Sequence, residues 1–486
     1  MNVPSRRDLQ TFLQLCQPRG TRRCRVPKIP CDRQVPRFHF ILIAGRFERY
    51  NIARNQIGFY TSVGMTARYE VDPEFIANIE NVVFGAVTQL VNTHPAMGLS
   101  IIDEASRTPS WTRLRQIDLR RVVTFTAGVK DSEGAAMIEA AHQRSFQNLD
   151  SLPLWRLIVL SPPKGDDSVT VGFFVHHAIC DGRSGVAFQA DFLKALQGPM
   201  LLSKRFPTVI EVLKLPLIPP LEEIHQLPLS VYFIATQLIK SVLPRGKDDL
   251  CWTGGLIRPE PDTTSLRILF IGFEVVDKLS KLCRSHGVTI TALLTVTIAR
   301  VLARNFPTHE RFTSTTAMSF RRFTGTPSNA MVLSVSSFRH RFSNTQRNGY
   351  LDCGGNLNWN TVKACNQEIK TATASPKNSQ VGLLKFLSDY AGWLRGHVGQ
   401  KRDCSFEVSN VGVTDGGIQG GKPRIKTLLF SQSRNVTGSA LVFSVASVKG
   451  SDMGISLTWQ EGVVDRETAE KVLADLDVEL RNFSDY

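Results

Sequence analysis

Alternating and helical patterns of apolar residues divide the first half of the chain into strands and helices. The stretch SVGMTARYE, residues 62–70, alternates apolar and polar side chains and predicts a strand. The next stretch predicts a helix, because its apolar residues recur three and four apart and Asp72 and Pro73 suit an N-cap and a first turn. Farther along, WRLIVLS and SVTVGFFVHH predict two strands, and GVAFQADFLKALQG predicts a helix that Gly198 ends.

A proline-rich segment separates this half of the chain from a second half. Residues 199–262 are rich in proline, as in KLPLIPPLEEIHQLPL, and read as a crossover segment. Beyond them, SLRILFIGF predicts a strand, and VTITALLTVTIARVLARNF a helix that is apolar over most of its surface and hence buried. The pattern predicts a mixed α/β or α+β fold with an N-terminal tail at 1–38, subdomains at 39–198 and 263–486, and the crossover between them.

Composition and charge narrow the functional classes. The chain has 486 residues and a formal net charge of +15, but residues 1–38 hold nine Lys and Arg against two acids. The remaining excess is mild and suits an anionic cofactor, and no basic and aromatic patch predicts a nucleic-acid module. The nine cysteines form no CxxC pair, which favours a reduced intracellular compartment.

Two segments leave the cellular location open. Residues 1–38 lack the apolar core of a signal peptide, and they fit a disordered tail, a transit peptide or a wrongly placed start codon. The stretch LPLSVYFIATQLIKSVLP, residues 227–244, contains Lys240 and falls short of the roughly 20 apolar residues of a span. It predicts a buried or surface-lying helix, with weak membrane association left open. We expect a cytoplasmic monomer, associated at most peripherally with an internal membrane.

The strand that ends in two adjacent histidines carries the candidate chemistry. In VGFFVHHAICDGRSGVAF, residues 171–188, His176 and His177 close an apolar run, and Asp181 and Gly182 follow. A histidine titrates near neutral pH and is a natural general base for a hydroxyl or an amine. On an extended strand His177 and Asp181 would lie more than about 10 Å apart, so they approach each other only if the chain turns between them.

The same stretch could also indicate a structural histidine, a metal site or a serine hydrolase, and the sequence pattern argues against the last two. Gly182 and Gly185 favour a turn or a close approach by a ligand, and Ser184 suits the N-cap of the next helix. A buried histidine in this position could also be a hydrogen-bonded core residue with no catalytic role. Because neighbours on a strand point to opposite faces, His176 and His177 should not share a metal, and no metal-ligand set supports a metal site. A serine hydrolase would need an elbow such as GxSxG, which the sequence lacks.

The stretch HHAICDG matches the HHxxxDG signature of the chloramphenicol-acetyltransferase-like superfamily. That superfamily includes plant BAHD acyltransferases, peptide-synthetase condensation domains and fungal alcohol acetyltransferases, and the chain resembles the last of these over about residues 40–485. Four further stretches carry the resemblance, namely GRFERYNIARNQIGFYTSVGMTARYE (45–70), GVTITALLTVTIARVLA (287–303), AMSFRRF (317–323) and SFEVSNVG (405–412). The DFGWG motif of the plant family is absent, which argues against a BAHD enzyme proper.

The resemblance implies two chloramphenicol-acetyltransferase-like subdomains with the active-site channel between them. The second histidine of the motif, His177, would be the base, and His176 would point into packing. Asp181 would be structural and pair with Arg321, or alternatively Arg322, while Gly182 would keep the channel open. Ser409 and Asn410 would line the channel, where they could equally form a polar turn. Lys422, Arg424 and Lys426 would meet CoA phosphates or form a solvated basic turn.

The function that the resemblance implies is acyl transfer from an acyl-CoA, most simply acetyl-CoA, to the hydroxyl of an alcohol, such as that of a secondary metabolite. Acyl-CoA would be a co-substrate rather than a permanently bound cofactor. Holding both substrates together would supply much of the rate without an acyl-enzyme. Three alternatives stay open: an amine acceptor, a condensation-type enzyme, or a non-catalytic binding relative of the fold.

Overall fold

The computed structural model describes residues 41–161, 163, 167–198, 202–242, 249–344, 351, 356–417 and 421–483. The tail predicted at 1–38 lies outside these residues. His39–Tyr486 form one compact unit. The subdomain boundaries at 198 and 262 stay predictions.

The strands run in chain order as β1 Ile41–Ile43, β2 Val63–Glu70, β3 Leu99–Ile102, β4 Ser110–Arg113, β5 Gln116–Asp118, β6 Val123–Ala127, β7 Trp155–Ser161, β8 Ser168–Val175, β9 Val209–Glu211, β10 Thr264–Ile271, β11 Arg311–Ser319, β12 Val335–Ser343, β13 Phe406–Thr414, β14 Arg424–Gln432, β15 Leu441–Val448 and β16 Met453–Gln460. The α-helices are α1 Arg46–Gln56, α2 Pro73–Ala77, α3 Ile79–Val91, α4 Gly134–Gln143, α5 Gly182–Leu196, α6 Leu221–Ile224, α7 Val231–Val242, α8 Phe273–Ser285, α9 Ile290–Asn305, α10 Arg321–Thr324, α11 Trp359–Ala374, α12 Tyr390–Arg395 and α13 Arg466–Asn482.

Two large mixed sheets organise these elements. A five-stranded sheet has the order β14-β2-β8-β7-β6, and a six-stranded sheet has the order β10-β16-β15-β13-β11-β12. Strand β14 comes from late in the chain, yet it pairs with β2 from Arg424 opposite Glu70 to Gln432 opposite Val63. Strands from early and late in the chain therefore pair in one sheet, and β2 lies next to β8, the strand that leads to the histidine pair.

Each large sheet packs its own apolar core, as the periodicity predicts. One core contains Val63, Phe173 and Phe188 from β2, β8 and α5. The other contains Leu293 of α9 with Phe406 and Leu457 of β13 and β16. Helix α9 is buried along most of its length, as its nearly uniform apolar surface predicts.

Two local predictions need correction. The helix predicted from Asp72 is two helices, α2 and α3, because Asn78 leaves the helical conformation at φ −116°. Asp72 and Pro73 do stand at the N-cap and first position of α2. Ser184 is not the N-cap of α5; Asp181 is, and Ser184 is the third helical residue. The carboxylate caps better here because it accepts the Ser184 N–H.

Candidate functional site

The two adjacent histidines follow the end of β8 and lie in unlike surroundings. His176 is fully buried, its Nδ1 accepts the Ala178 N–H at 3.1 Å, and its ring lies 5.8 Å from that of Phe146. Burial and the neighbouring His177 lower the pKa of His176 to about 3, so the ring is neutral. It packs within the fold, as the alternation along the strand predicts.

His177 has a defined tautomer. Its Nδ1 lies 2.7 Å from the carbonyl oxygen of Cys180. A carbonyl oxygen only accepts, so Nδ1 carries the proton and donates, which leaves the Nε2 lone pair free to accept. Among the described residues none hydrogen-bonds Nε2, and the side chain is partly exposed.

The surroundings of His177 keep it neutral. Burial and the nearby Arg54 guanidinium lower the pKa of His177 to about 4, against the Cys180 carbonyl and Asp181, which favour the protonated form. The centre of the Tyr60 ring lies 5.5 Å from that of the imidazole. On the same Tyr60 ring, the Arg54 guanidinium lies 4.1 Å from the ring centre. Near neutral pH the imidazole is therefore a free base with its lone pair on Nε2.

Asp181 turns away from His177 and binds Arg321, as the resemblance implies. The guanidinium donates to both carboxylate oxygens, at 2.7 and 3.0 Å, and both side chains are buried. The Ser334 N–H, at 3.0 Å, and the Ser184 N–H, at 2.9 Å, also donate to the carboxylate. Burial alone would raise the pKa of Asp181, but these partners hold it below its usual value. Arg322 does not share this role; its guanidinium lies over the Phe323 ring.

This buried pair joins the histidine loop to a distant part of the chain. Arg321 is the first residue of α10 and also donates to the carbonyl oxygens of Ala330 and Val332. The Ser184 hydroxyl lies 2.8 Å from the same Val332 carbonyl. Residues 140 positions apart in sequence thus fix the turn between His177 and α5.

The structure gives Gly182 a packing reason that the sequence did not predict. A Cβ on Gly182 would lie 2.8 Å from Val411 Cγ1 and 2.9 Å from the Phe430 ring. The missing side chain lets the start of α5 approach β13 and β14 closely. That Gly182 also keeps a channel open stays a prediction.

Ser409 and Asn410 lie on opposite faces of β13, so they do not act on the same space. Asn410 donates to the Thr291 hydroxyl at 3.1 Å and accepts the Gly412 N–H at 2.8 Å, which ties it to α9 and to a bulge in the strand. Ser409 shares a face with Glu407 and Val411. Val411 packs with the core of the five-stranded sheet, so this face points toward the side of the molecule that carries His177.

The three cations predicted to meet CoA already have carboxylate partners. Arg424 donates to Glu70 through two nitrogens, at 2.9 and 2.7 Å, and Lys422 contacts Glu70 and Asp167. Lys426 lies 3.7 Å from Glu70. The group sits at the end of β2 and β8 opposite to His177, since Glu70 pairs with Ser168 and Val63 with Val175. Seven residues along a strand span about 23 Å.

Several residues near His177 were not singled out from the sequence. The Tyr60 hydroxyl donates to Gln432 Oε1 at 2.8 Å, and the Gln432 amide donates to Glu407 Oε1 at 3.2 Å. Arg54 completes the group through its contact with Tyr60. Arg54 and Tyr60 fall in the stretch 45–70 that carries the resemblance, but neither its periodicity nor its composition marks them. Gln432 and Glu407 join them only because β14 and β13 arrive from late in the chain.

A small pocket, open in part to solvent, lies against the histidine loop. Ile179 of that loop forms one wall, and Trp111, Leu217 and Val332 form others. One carboxyl group faces this apolar lining, that of Glu48, whose Oε2 accepts the Trp111 indole N–H at 2.8 Å. Burial raises the pKa of Glu48 to about 7, against the hydrogen bonds from Trp111 and Gly45.

Comparison with known proteins decides the family. The family model described as alcohol acetyltransferase matches residues 43–479. The chain belongs to this family. This confirms the family named from the HHxxxDG motif and its companion stretches.

Two curated acetyltransferases are similar along nearly the whole chain. A probable alcohol acetyltransferase of Aspergillus fumigatus is 28% identical over 451 residues, which are 87% of this chain and 95% of that protein. A probable alcohol acetyltransferase of Fusarium pseudograminearum is 26% identical over 468 residues, covering 90% and 94% of the two chains. Both are fungal proteins, as the family assignment predicts.

Solved structures confirm the fold. The trichothecene 15-O-acetyltransferase TRI3 of Fusarium sporotrichioides superposes with a TM-score of 0.67 at 14% identity, covering 91% of this chain and 95% of that one. The condensation domain of the Monacolin K polyketide synthase MokA gives a TM-score of 0.59 at 11% identity, covering 92% and 98%. The alcohol acetyltransferase described here is thus a mixed α/β enzyme of two chloramphenicol-acetyltransferase-like subdomains, which uses an acyl-CoA donor and an alcohol acceptor.

Proposed function

We propose that His177 is the general base for transfer of an acetyl group from acetyl-CoA to the hydroxyl of an alcohol. Nε2 takes the proton of the acceptor hydroxyl while its oxygen attacks the thioester carbonyl. The tetrahedral intermediate collapses with cleavage of the C–S bond, and the imidazolium returns the proton to the leaving thiolate. The products are the acetate ester and free CoA, and no acyl-enzyme forms.

The observation that carries the proposal is the state of the His177 ring. Its Nδ1–H is held by the Cys180 carbonyl, so the lone pair sits on Nε2, and a pKa of about 4 keeps it available near neutral pH. A pKa this low makes the ring a weak base in water. It gains strength in the reaction because the acceptor proton leaves as the oxygen bonds to carbon, and because binding both substrates brings the groups together.

Other residues support this step without touching the reacting atoms. Asp181 is a positioning residue, which holds the loop through Arg321 and does not contact the His177 ring. For the oxyanion of the intermediate, we favour Ser409 as a hydrogen-bond donor, because its face of β13 is directed toward the His177 side. Asn410 is a weaker candidate, since Thr291 and Gly412 already occupy its amide group.

The pocket beside Ile179 is our candidate for the acceptor. An apolar pocket with one convergent polar group of shifted pKa is a common form of a small-molecule site. Its lining favours an acceptor with an apolar body, and Glu48 offers an acceptor atom for a second polar group of that molecule. For the CoA phosphates, Lys422, Arg424 and Lys426 stay candidates that would have to exchange Glu70 and Asp167 for phosphate.

The proposal is tested by release of CoA thiol from acetyl-CoA with a panel of alcohols and amines, with products identified by mass spectrometry. His177→Ala is expected to lower the rate about 10²- to 10⁴-fold. His286→Ala, at the C-cap of α8, is the matched control and is expected to leave the rate unchanged. Equal rates for the wild type and His177→Ala would reject His177 as the base. Acetylation of amines alone would reject the alcohol as acceptor.

A further inference from the structure

Helix α7, Val231–Val242, presents apolar side chains to solvent. Val231 is 83% exposed, Tyr232 80% and Ile239 59%, and no side chain of residues 231–239 is buried. None of these residues takes part in the apolar clusters of the described part of the chain. A surface helix normally turns such residues toward the core, so this arrangement needs a partner.

The exposed residues form one continuous face. Val231, Ala235 and Ile239 are four residues apart, so they form a row along the helix, and all three are exposed. At 100° per residue, Tyr232 falls next to this row, while Gln237 lies on the opposite side of the helix. Val231, Tyr232, Ala235 and Ile239 therefore form the outward side of the helix, while Phe233, Ile234 and Gln237 on the other side are less exposed.

The start of α7 is fixed on the protein. The Ser230 N–H donates to Asn378 Oδ1 at 2.8 Å, and the Asn378 N–H donates to the Pro228 carbonyl at 2.9 Å. Leu229 packs closely against Gly382: a Cβ added to Gly382 would lie 2.9 Å from Leu229 Cδ2. The apolar row is thus held at a defined place on the surface.

The charge of this segment selects among partners. The sequence contains no Asp or Glu between Glu223 and Asp248, whereas it contains Lys240, Arg245 and Lys247. The whole chain has a net charge of +15. An apolar face within a segment whose Lys and Arg are not balanced by any Asp or Glu suits an anionic lipid surface better than it suits a second copy of the same basic protein.

We propose that α7 inserts its apolar face into the surface of an anionic lipid bilayer and so docks the enzyme on a membrane. A helix of 12 residues is about 18 Å long, which is too short to cross the roughly 30 Å hydrocarbon core, so it lies in the interface. In the described residues no single helix qualifies as a span, and only the pair α8 and α9, bent by 102°, does so by length and composition. This docking is independent of which residue acts as the base.

Flotation of the full chain with lipid vesicles tests the proposal. We expect binding to phosphatidylcholine vesicles that contain phosphatidylserine, weaker binding to phosphatidylcholine alone, and loss of binding at high salt. Ile239→Asp is expected to weaken binding roughly tenfold or more, because the exposed apolar row would then carry a charge. Since Ile239 packs in no cluster, its thermal stability and acetyl transfer to a water-soluble alcohol should not change.

Val478→Asp is the matched control, because Val478 is 57% exposed on helix α13, away from α7 in sequence. It should bind vesicles like the wild type. Three results would overturn the proposal. The wild type could fail to float with anionic vesicles, or Ile239→Asp could float as well as the wild type, as when the basic residues of 1–38 bind instead. A dimer in light scattering that Ile239→Asp dissociates, without flotation, would make this face a contact between copies.

Discussion

A carboxylate–arginine pair lies at each end of the neighbouring strands β2 and β8, and the two pairs differ in burial. At one end Arg321 binds Asp181 in a buried cluster beside His177. At the other end Arg424 binds Glu70 near the surface, where the Arg424 side chain is 39% and the Glu70 side chain 12% exposed, with Lys422 and Lys426 close by. A carboxylate–guanidinium contact forms at both ends, and the contact alone does not reveal what each pair does.

Burial separates the two pairs. Exposed ion pairs are screened by water and contribute little to stability. A buried pair contributes little net free energy over an apolar replacement, but loss of one partner leaves the other charge stranded in the interior. The Asp181–Arg321 pair therefore fixes the fold of the histidine loop, whereas the proposed exchange of the cations around Glu70 for an anionic ligand would break only partly exposed pairs.

Asp181→Asn should break the buried pair and produce the largest effect on stability. We expect the free energy of unfolding to fall by about 3–5 kcal/mol, measured by urea denaturation. The folded-state pKa of Asp181 is lowered, so its contribution is present above the unfolded pKa near 3.8 and lost as pH falls through the folded pKa. The difference between the variant and the wild type should therefore shrink below about pH 4.

Glu70→Gln is the matched variant at the less buried end. We expect a shift in the urea midpoint several times smaller than that of Asp181→Asn. Equal shifts for both variants would contradict the distinction between the two ends.

The pH dependence of turnover tests the electrostatics at the His177 end. Activity needs neutral His177, so kcat/KM should stay level from neutral pH downward and fall only as pH approaches about 4, not 6.5. Arg54→Gln removes the cation that, together with burial, lowers this pKa and should move the acid limb to higher pH. Circular dichroism at each pH controls for unfolding, and an acid limb near 6.5 in the wild type would contradict the environment described for the ring.

Glu48→Gln asks whether the pocket beside Ile179 receives the acceptor. The change keeps the shape of the side chain and its acceptor oxygen, but removes the charge that appears above a pKa of about 7. We expect KM for the acceptor to change about three- to tenfold with kcat nearly constant. A change in KM for acetyl-CoA instead would assign the pocket to the donor.

Arg424→Gln tests the cations around Glu70 and should have the smallest effect on stability and turnover. We expect the thermal midpoint to stay close to that of the wild type, with KM for acetyl-CoA rising about two- to threefold at low salt. If KM for acetyl-CoA is unchanged at every salt concentration, Arg424 does not contact the phosphates of CoA.

The comparison also shows why part of the site was within reach of the sequence. His177, Asp181 and Gly182 are close in the chain, so a spacing can mark them and a family motif can assign their roles. Arg321 can be named because it lies in a second marked stretch, AMSFRRF. Arg54, Tyr60, Glu407 and Gln432 have no such local mark, since they become neighbours only when β13 and β14 pack beside β2.

The sequence by itself determined most of the long strands and helices, the division into two halves, the family and the motif that carries the adjacent histidines. These follow from periodicity and from motifs that are local along the chain. The tertiary structure alone decided that Asp181 caps α5 while it binds Arg321, that Asn410 faces away from Ser409's side of β13, and that Lys422, Arg424 and Lys426 meet Glu70 and Asp167. It also decided that α7 turns its apolar row outward. Periodicity identifies an apolar face, but only the packing of distant elements determines whether that face is covered.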